Sequence, residues 1–105
     1  MDAVRGHLDL LLLSSLEAGP AHGYALIERL RETSDGELDF PEGTIYPALH
    51  RLERSGAVRS GWDESSARRR RVYTLTSRGH AELARQREAW LQFSRAVELV
   101  VRGAT

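Results

Sequence analysis

Four consecutive arginines, Arg68, Arg69, Arg70 and Arg71, follow a helix-like segment that carries Thr44, Pro47, His50 and Arg51 away from its apolar stripe. Tyr46 lies at the stripe's edge, where a core aromatic with a wet tip is as good an account as a phosphate contact. A guanidinium presents a planar fork of donors that suits phosphate oxygens or the edge of guanine. Hydroxyls at Thr44 and Tyr46 can donate to phosphate, and Pro47 can offer apolar contact to a thymine methyl. The chemistry open to these residue types is recognition of a polyanion. For His50 a solvent-facing role is as good an account, and for Arg54, near the end of the segment, a salt bridge is the simpler one. A run of charge is usually a solvated hairpin; the basic helix face beside it argues for contact with nucleic acid instead. In a strand, Arg69 and Arg71 point opposite to Arg70, so Arg68, Arg69 and Arg70 are the expected contact set.

The charge distribution supports this reading. Over 105 residues the net charge is zero, with 15 basic and 15 acidic residues. Residues 1–49 hold three arginines and nine acids, whereas residues 50–79 hold eight arginines and three acids. A local basic patch binds phosphate even in a neutral molecule. Every basic residue is arginine, with no lysine.

The elements that must position these residues follow from periodicity. Ile45, Leu49 and Leu52 recur at i, i+4 and i+7, giving a helix from about 42 to 55 with one buried stripe. Gly56 suits its left-handed C-cap. Pro47 lies inside and removes the bond to the Gly43 carbonyl, so the first turn should be distorted or very near the helix start. An earlier helix is expected over about 5–18, from Arg5, with Leu8, Leu12 and Leu16 on one stripe and Leu10 and Leu13 on a second face. Gly19-Pro20 stops it. The next runs from 21 or 22 to 34, with Leu26, Ile27 and Leu30 inward. His22 and Tyr24 open it; phosphate contact there is plausible, although Tyr24 is more readily a core residue. Residues 37–40 can form a short first strand. Residues 57–62 and 70–75 read as two strands joined by a polar loop, with Trp62 expected to close against the domain. Thr76 or Ser77 can N-cap a last helix over 78–102.

On that last helix Leu83, Trp90 and Val97 are spaced by seven, and Phe93 and Val100 follow three residues after Trp90 and Val97. This is a heptad-like seam. Burial of it against a second copy, with Leu10 and Leu13 of the first helix, predicts a homodimer. Trp90 and Phe93 could instead line a pocket for a planar aromatic ligand, but dry packing already satisfies them. The fold class expected is mainly α with a small β-wing: a winged helix-turn-helix over 1–76 and a long C-terminal dimerisation helix over 77–105.

Three stretches then stand out together: His22-Gly23-Tyr24, T-I-Y-P-x-L-x-R-L-E-x-x-G over 44–56, and Y-x-L-T-x-x-G over 73–79. In this order the sequence resembles the PadR family of bacterial transcriptional regulators, in its short form with a single C-terminal helix. The resemblance covers about 5–79 closely and the last helix by type. It implies a homodimer that binds palindromic operators, usually as a repressor, and in some members responds to phenolic acids or planar drug-like compounds. The wing departs from the pattern. Many members carry Gly and Lys before the second strand, where this chain has Ser65-Ser66-Ala67 and four arginines.

Other classes fit less well. No nucleophile–base–acid set or phosphate loop suggests an enzyme. There is no cysteine, and His7, His22, His50 and His80 share no metal spacing, so neither metal nor cofactor is expected. A cytoplasmic protein is expected from the lack of a signal-peptide pattern and of a long apolar run. A protein-docking winged helix would carry acids on the third helix and a neutral wing, the reverse of this pattern. A DNA-binding regulator without ligand sensing stays open.

Overall fold

The computed structural model describes residues 7–65 and 67–103. Helix α1 (Leu8–Leu16) is rich in leucine, and Leu8, Leu10, Leu12, Leu13 and Leu16 all go inside. Its C-terminus is closed from outside. The Arg29 guanidinium donates to the Ser15 carbonyl at 3.2 Å, the Gly19 carbonyl at 2.8 Å and the Pro20 carbonyl at 3.4 Å. A cation thus ties the last turn of the helix to the loop that follows it, at the end where the helix dipole favours positive charge. Residues 1–6, and with them the expected start at Arg5, lie outside the described residues.

The chain then makes a two-residue strand, β1 (Ala21–His22), and enters α2 (Gly23–Thr33). His22 caps α2 with its side chain, Nδ1 accepting from the Ala25 amide at 3.2 Å. The end of α2 is a Schellman turn, with Gly36 N–H donating to the Arg31 carbonyl and Asp35 N–H to that of Glu32. Helix α3 (Glu42–Arg54) buries the anticipated stripe of Ile45, Leu49 and Leu52, with Ala48 beside it. Pro47 lies five residues into it without interrupting it, its ring on the exposed side. A second Schellman turn ends α3: Ala57 N–H donates to the Leu52 carbonyl and Gly56, at φ +84°, to that of Glu53.

Strands β2 (Val58–Asp63) and β3 (Arg70–Leu75) form the hairpin. The sheet is antiparallel in the order β1-β3-β2, with Ala21 opposite Tyr73 and Ser60 opposite Tyr73 on the other edge. The third strand is therefore Ala21–His22, not residues 37–40 as the sequence suggested. The reason is distance. Helix α2 carries the chain about 16 Å along its axis before residue 37 is reached, away from the free edge of β3. There Leu38 and Phe40 turn partly inward instead, Leu38 facing the α1–α2 cleft and Phe40 the core.

Thr76 caps α4 (Ser77–Val101), its hydroxyl accepting from the Gly79 amide at 3.0 Å. The same Oγ1 donates to the Gly56 carbonyl at 2.5 Å, tying the two helix ends together. The first turns of α4 belong to the body: Leu83 is fully buried, and Arg87 reaches back to Glu17 of the α1 C-terminus at 2.7 Å. Beyond Arg87 the helix is almost wholly exposed. The core is a single cluster of leucines from α1, α2 and α3 closed by Ala57, Val58, Tyr73, Leu75 and Leu83. The boundary proposed at residue 76 thus cuts chain order but not the core, because Leu83 packs with the residues before it.

Candidate nucleic-acid interface

The exposed side of α3 and the tip of the hairpin enclose two adjoining grooves. One is lined by Tyr46, Pro47, His50, Arg51, Glu53, Arg54 and Arg71. The other is lined by His22, Tyr24, Glu42, Tyr46 and the four arginines Arg68, Arg69, Arg70 and Arg71. Tyr46 and Arg71 belong to both, so the helix face and the wing form one continuous surface. Of the residues singled out in the sequence, Tyr46, Pro47, His50, Arg51, Arg68, Arg69 and Arg70 line it. Thr44 is half-buried on α3 and lines neither groove.

Each side chain has a local reason for its place. Tyr46 packs its ring against the core edge and over Gly23. Arg51 is paired with Asp9 of α1 at 3.1 Å, an exposed contact that a phosphate can displace. Arg54 makes no ion pair among the described residues, contrary to the simpler expectation for it, and lines the α3 groove instead. Glu42 stands in the first turn of α3, where the helix dipole favours an acid.

At the wing, the Asp63 carboxylate accepts from the Ser65 amide at 3.0 Å and the Ser65 hydroxyl at 2.5 Å, which holds its pKa below the usual carboxylate range. Ser66, within the turn noted as unusual, lies outside the described residues. Arg70 Nη1 lies 2.8 Å from His22 Nε2. A neutral imidazole carries one N–H. The His22 Nδ1 accepts from the Ala25 amide, and among the described residues no hydrogen bond engages the other guanidinium nitrogens of Arg70. Burial, then the charge of Arg70, push the His22 pKa down and favour this neutral form.

Three residues fall where the sequence did not put them. Tyr24 is 56% exposed in the wing groove and not in the core, because α2 turns its Leu26–Ile27–Leu30 stripe inward and leaves position 24 outside. Trp62 is 51% exposed and does not close against the body. It stands opposite Arg71 on the hairpin, with the guanidinium carbons of Arg69 and Arg71 over its ring at 4.4 and 4.9 Å. Arg71, set aside on strand alternation, lines both grooves. Hairpin register would have exposed the Trp62–Arg71 pair had the loop length been known.

The second candidate set divides. Leu13 and Leu83 are closed inside the protomer and offer no surface to a second copy or a ligand. Leu10 is mostly buried and borders a cleft with His7, Asp9, Arg85, Gln86, Ala89, Trp90 and Phe93. The His7 and Trp90 rings meet edge-on at 4.8 Å. Trp90, Phe93, Val97 and Val100 lie exposed along α4, with Leu91, Leu99 and Val101 beside them. Among the described residues, no group of histidine and acidic side chains is arranged to hold a metal ion, and no helix is long and apolar enough to cross a membrane.

Helix α2, the turn and α3, followed by a basic hairpin, define a winged helix-turn-helix. Residues 12–85 match the model of the transcriptional regulator PadR-like family, and the chain belongs to that family. Known structures agree. A transcriptional regulator from Clostridium thermocellum is 30% identical and superposes with a TM-score of 0.86, over 93% of this chain and 96% of that one. A PadR family transcription regulator from Clostridium difficile, also 30% identical, gives 0.80 over 90% and 98% of the two chains. A transcriptional regulator of Mycobacterium tuberculosis is 44% identical over 55 residues, 52% of this chain and 51% of that protein. These relatives are transcription regulators, not enzymes.

Proposed function

We propose that the protein is a repressor that binds a palindromic operator as a homodimer, with α3 in the major groove and the wing on the flanking backbone. The observation that carries this reading is the continuous surface sharing Tyr46 and Arg71, which joins the exposed α3 face to four arginines. Tyr46, Pro47, His50 and Arg51 stand where base edges or adjacent phosphates would lie, and Arg68, Arg69 and Arg70 on the phosphate backbone. Thr44 is assigned a place at the α3 N-terminus, the end that commonly meets the bases.

The dimer rests on α4. Its outer half carries Trp90, Phe93, Val97 and Val100 in water, with Phe93 59% and Val100 80% exposed. An apolar face of this extent asks for a partner, and a second copy offers the same face about a two-fold axis. Pairing sets two α3 helices at a fixed spacing, which an inverted repeat with half-sites about one helical turn apart would match.

Gel shift with the promoter of the protein's own gene tests the reading. Tight, strongly salt-dependent binding is expected; equal affinity for unrelated duplexes would reduce the role to non-specific DNA coating. For the cleft at Trp90, dry packing is the favoured use, since His7 already covers one ring edge. Release by a planar aromatic ligand is the competing use. Titration of Trp90 fluorescence with a panel of such compounds separates the two.

A further inference from the structure

We propose that Trp62 is a positioning residue for DNA binding: its indole holds Arg69 and Arg71 extended on the face of the wing that adjoins α3. The inference rests on the DNA-binding reading above and deepens it.

Trp62 contributes nothing to the core, and half of it is in water. An indole left there needs another use. Its ring carries two guanidinium carbons, Arg69 at 4.4 Å and Arg71 at 4.9 Å. Two like charges gathered at one spot repel, and the negative face of the ring offsets that repulsion. Arg71 and Trp62 stand opposite each other in the hairpin register and share one face of it, and Arg69, the residue before β3, reaches the same ring.

Arg71 is held at a second point. Its Nε donates to the Ser60 hydroxyl at 2.8 Å, and Ser60 donates in turn to the Glu53 carboxylate of α3 at 2.6 Å. The chain Glu53–Ser60–Arg71–Trp62–Arg69 therefore fixes the wing arginines relative to α3. Among the described residues only the Nε of Arg71 is hydrogen-bonded, so its terminal nitrogens stay available to a phosphate. A free arginine loses much rotamer freedom when it binds; one already held extended loses less. Trp62 thus raises affinity without touching the DNA.

The test is fluorescence anisotropy with a labelled own-promoter duplex, using wild type, Trp62→Phe, Trp62→Leu, the pair Arg69→Ala with Arg71→Ala, and the triple variant. Trp62→Leu should weaken binding about fivefold to tenfold, while Trp62→Phe, which keeps an aromatic face, should stay within about twofold of wild type. In the background lacking both arginines, Trp62→Leu should change nothing. Wild-type affinity in Trp62→Leu, or a loss that persists without the arginines, overturns the proposal. A spectroscopic arm is independent of DNA and of whether Trp62→Leu folds. In a Trp90→Phe protein Trp62 is the sole tryptophan, and the neighbouring guanidiniums should make iodide a stronger quencher relative to acrylamide. Removing both arginines should abolish that preference; an unchanged ratio overturns the stacking. A wild type that binds no DNA removes the DNA-binding reading itself and this role with it. That failure is told apart because the quenching result stands on its own.

Discussion

Gly23 lies directly beneath the ring of Tyr46: a Cβ at position 23 would stand 2.6 Å from Tyr46 Cε1 and Cζ. The first residue of α2 and the exposed edge of α3 are thus in contact. Two stretches that look separate in the sequence, His22-Gly23-Tyr24 and Thr44-Ile45-Tyr46-Pro47, are the two sides of one packing site. The missing side chain at 23 lets the ring lie flat between the body and the groove.

Gly23→Ala should therefore push the Tyr46 ring outward. Because that ring is partly exposed it can move, and the stability loss should stay at about 1 kcal/mol. Own-promoter affinity should fall severalfold, to about the level of Tyr46→Ala. Anisotropy alongside a thermal melt checks both; full affinity in Gly23→Ala would take the ring's position out of the interface.

Gly79 is a harsher case. A Cβ there would come within 2.0 Å of the Ala57 carbonyl oxygen, which is backbone and cannot swing away. Gly79→Ala should destabilise the fold by about 3 kcal/mol, and Thr76→Ala by about 1 kcal/mol through loss of the α4 cap. Urea denaturation of the two variants should rank them in that order. A smaller loss in Gly79→Ala would mean that α4 can shift on the body.

His22 gives stability a pH dependence. Its folded pKa lies below the ordinary value of 6.5, through burial and then the charge of Arg70. The unfolded chain then binds more protons across that window, so the contribution is complete above about pH 6.5 and is lost as pH falls toward the folded pKa. Protonation also removes the Nδ1 lone pair that caps α2. The melting temperature should decline on acidification through this range, and His22→Asn, which can still cap, should flatten the decline. An unchanged slope would assign the titration to other groups.

On α4, Phe93→Asp should leave the protomer folded, since Phe93 is outside the core, and should shift the species at micromolar concentration from dimer to monomer. Sedimentation velocity reads this directly. A dimer of undiminished strength would locate the interface elsewhere.

Arg70→Ala should weaken binding to all duplexes alike and lower the salt slope by about 0.9, the share of one phosphate. A slope equal to wild type would leave Arg70 outside the phosphate contacts.

The sequence by itself determined the order of the helices and of the two hairpin strands, the helix cap at Gly56, the inward stripe of α3 and the concentration of arginine on its other side and on the wing. These are local properties: periodicity says which residues share a face, and turn residues say where it ends. Tertiary structure decided what each face meets. It placed the third strand at Ala21–His22, where the free edge of β3 is within reach, and left residues 37–40 to turn toward the helices. It divided one heptad-like seam, taking Leu83 into the core and leaving Phe93 in water, because the body ends partway along α4. It also set Trp62 beside Arg69 and Arg71, a pairing fixed by hairpin register across a loop. Strand register and the extent of the core are relations between distant segments, and no local pattern encodes them.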